Sequence, residues 1–197
     1  MRLLLGLLAG AWVRMHARQT VAIEGAPRDQ VITVRGVAVA RDLLESPLSG
    51  TPCVYYRYSV EEWRRSRLLG AGSDGGFWQL AEHDEAIAEF YVDDGTARAI
   101  VAPGDARVRP ARRLAGAPME IVDPVGGASI ELGMNRRAHE LLIEPGDLLT
   151  ITGHAVEVAD LFDDSRDYRA TPQRLMLRAP ESSPLDIRIL RKRPPGA

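Results

Sequence analysis

The chain has 197 residues, 45% of them hydrophobic and 26% charged, which suits one embellished domain or a small domain with appendages. A formal charge of −2 excludes a global attraction to nucleic acid or anionic lipid, so any such binding must rest on local patches. The single cysteine excludes an internal disulfide and a zinc site built from several cysteines.

Met1 to Val13 reads MRLLLGLLAGAWV, with an apolar run from Leu3 to Val13 flanked by Arg2, Arg14 and Arg18. A spanning helix needs about 20 apolar residues, and this run is shorter. It suits a signal-peptide core with Ala9-Gly10-Ala11 as cleavage pattern, or an interfacial anchor followed by basic residues. A helix packed on the domain and a clipped spanning segment are the other readings. Residues 1–19 are taken as a membrane-associated apolar segment and 20–30 as a linker. Residues 31–190 are taken as a β domain and 191–197 as a basic tail.

Val31 to Ala40, VITVRGVAVA, predicts a strand in which Gly36 marks a bulge or sharp bend. Pro47, Gly50 and Pro52 supply a turn after Arg41 to Glu45. Cys53 to Val60 is β-branched and aromatic, and so predicts a strand. Cys53, Tyr55, Arg57 and Ser59 share one face of it. Val54, Tyr56, Tyr58 and Val60 share the more apolar face, expected to pack inward. After Trp63, the run Arg64-Arg65-Ser66-Arg67 leads into a glycine-rich hairpin connection over Leu68 to Gly76, and Phe77-Trp78-Gln79-Leu80 begins the return. Ala86 to Asp93 and Ala97 to Val101 form a hairpin around Asp94-Gly95.

Arg107 to Leu114 reads as a proline-broken surface excursion, Glu120 to Val122 as a short strand, and Gly126 to Asn135 as a loop. Arg136 to Ile143, RRAHELLI, is expected as a short helix with Ala138, Leu141 and Leu142 on one side. Pro145-Gly146-Asp147 turns the chain into a strand over Leu148 to Val158, a pattern that recurs in OB-type barrels. Asp160 to Asp167 is an acidic loop, and Arg174 to Arg178 and Leu185 to Leu190 close the β structure.

Five segments carry a family resemblance. They are VITVRGVA at Val31, SPLSGTPCVYYRYSVEE at Ser46, FW at Phe77, EFYVDDGTARAIVAP at Glu89 and ELLIEPGDLLTITGHA at Glu140. In this order they resemble the domain shared by the GIDE (MULAN, MAPL) family and its bacterial relatives, over roughly Val31 to Ala155. Relatives often carry glycine where this chain has Ala97. In the organelle proteins the domain lies beside a membrane and precedes a RING finger with E3 ubiquitin-ligase activity. With the strand pattern, the resemblance implies a mainly β, OB-like small barrel with a long hairpin insertion and one or two short helices. It also implies a membrane-associated binding or scaffolding module, expected at a bacterial inner membrane. This sequence holds no cysteine–histidine zinc pattern, so RING-dependent ligase activity is not carried over.

Cys53 is the candidate nucleophile and would need His139 or His154 as its base. Against this, cysteine is among the most buried residue types. The four histidines, His16, His83, His139 and His154, lack metal-ligand spacing. The acids of 160–167 lack the glycine and terminal glutamate of a calcium loop. With no phosphate loop and no serine elbow, neither cofactor nor metal is expected. A single-stranded nucleic-acid reading places Tyr55, Arg57, Arg64, Arg65 and Arg67 at the binding surface, although the acidic balance counts against it. The expectation is therefore a module with a protein partner, held at a membrane by its N-terminal segment. The alternatives are a nucleic-acid binder and a thiol enzyme using Cys53.

Overall fold

The structure is a computed structural model that describes residues 19–65, 76–102, 104–110, 127–131, 135–160 and 173–191, with backbone alone for Arg65, 127–131 and Arg191. The apolar segment up to residue 18, Arg67 with the rest of the hairpin connection, the strand expected at Glu120, nearly all of the acidic loop and the basic tail lie outside the described residues. The strands are β1 (Gln30–Ala40), β2 (Leu44–Glu45), β3 (Pro52–Cys53), β4 (Tyr55–Arg65), β5 (Gly76–Ile87), β6 (Phe90–Asp93) and β7 (Arg98–Val101). They continue with β8 (Ala106–Arg109), β9 (Gly127–Glu131), β10 (Arg136–Ile143), β11 (Leu148–Ala159), β12 (Gln173–Arg178) and β13 (Leu185–Arg191). Among the described residues there is no helix.

Five strands close a barrel in the order β1-β6-β7-β12-β11 and back to β1. All neighbours in this ring are antiparallel except β7 and β12. β13 and β8 extend the sheet from β11. Closure depends on β1 serving two partners. Gln30 to Val37 pair with β11, and Val37 to Ala40 pair with β6. Gly36 sits beside this handover, where a Cβ would meet the Asp93 carbonyl oxygen at 2.5 Å. The register runs unbroken through it, so the glycine serves a close backbone approach, and of the two expectations there, a bulge or a sharp bend, the bulge is absent.

The core shared by the barrel and β13 is apolar. Val34, Phe90, Val92, Ala99, Val101, Leu149, Ile151, Leu177, Ile187 and Ile189 are all fully buried. Along β11 the burial alternates, Leu149, Ile151, Gly153 and Ala155 pointing in and Thr150, Thr152 and His154 partly out. Each large aliphatic or aromatic side chain so buried contributes about 1.5–3 kcal/mol.

The stretch read as a linker packs against this barrel. Ile23 and Ala26 are buried in the core. The Val21 N–H donates to the Thr33 carbonyl at 2.9 Å and the Asp29 N–H to the Ala155 carbonyl at 2.7 Å. Its backbone groups find partners and its apolar residues find a surface, which a solvated linker would lack.

A second, antiparallel sheet runs β5-β4-β10-β9, and the expected long hairpin is its β4–β5 pair. Here the helix expected over Arg136 to Ile143 is replaced by strand β10, paired on one side with β4 and on the other with β9. Helix-forming residues yield to two ladders of hydrogen bonds. The alternation was masked by Glu140, an acid at a buried position that accepts a hydrogen bond from the Ser46 hydroxyl. Tyr58, Val60 and Ala138 form a small cluster on one face, covered by Leu48 and Tyr56. At the root of β4 both faces are inside. Val54 and Tyr55 each join the main core, because the chain crosses there from the barrel to the second sheet.

Candidate functional site

The sequence-predicted residues do not converge. Cys53 is fully buried in β3, opposite Leu44. His139 lies four residues along β10 from Ile143, whose carbonyl receives the Val54 N–H, so it is about 13 Å up the sheet from that point. Tyr55 is also fully buried, which leaves no ring face for a base to stack on. Arg57 is half-buried between Glu85 of β5 and Leu141 of β10. Arg64 is exposed on the opposite face of β4, at 2.9 Å from Glu62. Arg65 ends β4 opposite Gly76, with its side chain outside the described set. The span from Tyr55 to Arg64 is about 30 Å, too long for one contact point.

The tyrosines of this segment bind β4 to β5. Each phenol donates diagonally across the hairpin to a carboxylate: Tyr55 to Glu85 at 2.9 Å, Tyr56 to Asp84 at 2.9 Å, and Tyr58 to Glu82 at 2.6 Å. Burial, with the Glu85 hydrogen bond second, pushes Tyr55 well above its ordinary range. The Asp84 hydrogen bond raises Tyr56, and the Glu82 hydrogen bond pushes Tyr58 up to about 12. These phenols stay neutral and are spent on structure. They are not poised for acid–base work.

At the far end of the hairpin, beside the Arg64 and Arg65 named from the sequence, stands a tryptophan pair that sequence reasoning missed. Trp63 of β4 stands opposite Trp78 of β5, with ring centroids 5.4 Å apart, edge to face. The Trp63 ring lies over Gly76, where a Cβ would come within 2.5 Å of it. The Arg137 guanidinium sits 4.3 Å over the Trp78 ring, and its Nε lies 2.5 Å from Glu61. Glu62 holds Arg136 at 3.2 Å and Arg64 at 2.9 Å. Next to these ion pairs Phe77 is 54% exposed and Leu80 57%, one on each face of β5. Among the described residues β5 pairs with β4 alone, and no described strand covers its outer edge. Reading RRAHELLI as a helix hid the site, because only a strand puts Arg136 and Arg137 beside Glu62 and Glu61.

An open groove of about 420 Å³ lies between the root of β5, His83 to Ile87, and Gly104 to Ala106. Its lining is half polar, with Asp84, Glu85 and Asp105 as its acids. Among the described residues no three histidine, cysteine, aspartate or glutamate side chains are grouped to hold a metal ion. At the other end of the barrel, Asp94 accepts hydrogen bonds from the Ile23, Thr96 and Ala97 N–H groups and the Thr96 hydroxyl. The Asp160 carboxylate, buried in the barrel wall, is gripped by Arg174 at 2.5 Å and by the Tyr91 hydroxyl at 3.2 Å. Both are struts between segments. Comparison of the chain with models of protein families, with curated proteins and with solved structures found no match.

Proposed function

We propose that this chain is a binding and scaffolding module held at a membrane, in which an OB-like barrel carries a projecting sheet that meets a protein partner. The observation that carries the reading is the end of the β4–β5 hairpin. There apolar side chains stand on both faces of a strand edge that no other described strand pairs: Leu80 with the Trp63–Trp78 pair beside the Arg137–Glu61 ion pair on one face, and Phe77 beside the Arg64 and Arg136 ion pairs with Glu62 on the other. An apolar centre with a polar rim is the anatomy of an interaction surface. Barrel order supports the OB-like reading, since the third and fifth barrel strands, β7 and β12, are the parallel pair of a five-stranded Greek-key barrel.

The ion-paired arginines beside these apolar side chains favour protein over lipid at the hairpin, since each charge already has a carboxylate partner. The segment that resembles the GIDE family forms the root of the projecting sheet, consistent with a scaffold. For the nucleic-acid alternative, buried Tyr55 and the carboxylate-paired arginines weigh against it. For the thiol-enzyme alternative, the burial of Cys53 does.

The test is a photo-crosslinking residue placed at Phe77 in the intact chain in cells, with Arg188 as control. Protein adducts from Phe77 alone, in the membrane fraction, are expected. Adducts to RNA or DNA would favour the nucleic-acid reading. Recovery of the chain wholly in the soluble fraction would overturn the membrane part.

A further inference from the structure

We infer that the partner at this edge is a second copy of the chain, joined β5 to β5 in antiparallel fashion about Gln79. The inference rests on the reading above, that the hairpin end is a protein-binding surface, and names what it binds. A strand at the edge of a sheet exposes a row of unpaired backbone groups, and proteins guard such edges with charge, proline or bulges. The two halves of β5 are guarded differently. Its inner half carries Glu82, Asp84 and Glu85, and the Asp84 carboxylate takes the Glu85 N–H at 2.9 Å. Its outer half, Phe77 to Ala81, holds neither charge nor proline and exposes Phe77 and Leu80. The bulge falls between the halves, since Val60 pairs with Glu82 and Glu61 with Leu80, leaving Ala81 unpaired.

Charge then selects the second copy and its direction. A parallel joint would set the two acidic halves side by side. An antiparallel joint about Gln79 sends them to opposite ends. It places Trp78 opposite Leu80 of the second copy and Phe77 opposite Ala81 of the second copy. Gln79 meets its own counterpart on the twofold axis, with side chains emerging on matching faces. Arg64, opposite Phe77 on β4, then shares a face with Glu82 of the second copy, about 10 Å away across two strand spacings. The surface is self-complementary, as a twofold interface requires. The two four-stranded sheets become one of eight strands.

The test is oxidative crosslinking of the intact chain in mild detergent with Gln79→Cys. Directly opposed residues have Cα atoms about 4.5–5.5 Å apart, within disulfide reach. Arg188→Cys, exposed on the barrel sheet, is the control, and buried Cys53 gives the background. A disulfide-linked dimer should form with Gln79→Cys alone. Adding the exposed change Leu80→Lys should cut its yield by about tenfold or more. A yield equal to the control, or one indifferent to Leu80→Lys, overturns the inference. Adducts in native membranes to a different protein, with no self-dimer, overturn the second copy while leaving the proposed function standing. Absence of any protein adduct at Phe77 would remove both.

Discussion

Replacing Gly36 with alanine tests barrel closure where it is tightest. The new Cβ would lie 2.5 Å from the Asp93 oxygen, 2.7 Å from its carbonyl carbon and 2.8 Å from Val92 Cγ2. Two of these atoms are backbone, so no rotamer relieves the clash. To restore a contact of 3.4 Å, β6 must retreat by about 0.9 Å just where Val37 pairs with Asp93. Overpacking of this kind costs about 1–3 kcal/mol, and losing one ladder hydrogen bond adds about 1 kcal/mol. A total near 3 kcal/mol lowers the Tm of a chain this size by roughly 6–12 °C. The assay is a thermal melt of the intact chain in detergent, followed by circular dichroism. Gly104→Ala, with nothing within 4 Å of the new methyl, is the control and should stay within about 0.5 kcal/mol of the parent. A Gly36→Ala melt as close to the parent as the control would refute the closed ring.

Cys53→Ala should cost roughly 1 kcal/mol, the loss of one small buried group. A thiol reagent should label Cys53 slowly until denaturant is added. Fast labelling below neutral pH would instead reveal an accessible thiolate and revive the enzyme reading. For Asp94, burial pushes the carboxyl up, but hydrogen bonds from Thr96, Ile23 and Ala97 outweigh it and hold the group at about 2, against an ordinary 3.8. Because the folded value is depressed, its stabilisation is complete above the ordinary carboxyl range and is lost as pH falls toward 2. Asp94→Asn should therefore cost about 1 kcal/mol at pH 7, after allowance for solvent screening, and little near pH 2. Equal Tm deficits at the two pH values would contradict this.

Strands with one packed face were legible in the sequence. Val31 to Ala40 and Leu148 to Val158 alternate because the barrel buries every second residue, and Asp94-Gly95 marks its hairpin because Gly95 takes a φ of 87°. What failed was what tertiary partners decide. Glu140 occupies an inward position only because Ser46 reaches it, so RRAHELLI lost its period-two signature. Tyr55 looked like a surface aromatic because alternation assigns one face inward, yet a strand entering between two sheets is covered on both. Ile23 and Ala26 sit among charged and turn residues, and only the barrel surface makes that stretch part of the core. The hairpin-end patch joins Trp63, Trp78 and Arg137 across three strands, so no local window holds it.

The central claim is a closed barrel bearing a sheet whose outer β5 edge is open to a partner. Hydrogen–deuterium exchange of the intact chain, at nanomolar and then at high micromolar concentration, tests it most directly. In dilute solution the hydrogen-bonded amides of β1 and β11 should be protected for hours, while the amides of Phe77 to Ala81 that face away from β4 exchange within seconds. At high concentration the latter should gain protection and the former should not change. Slow exchange of those outward-facing amides at every concentration would mean that the edge is already covered. Rapid exchange of β1 and β11 would mean that the ring does not close, and either result would contradict the account.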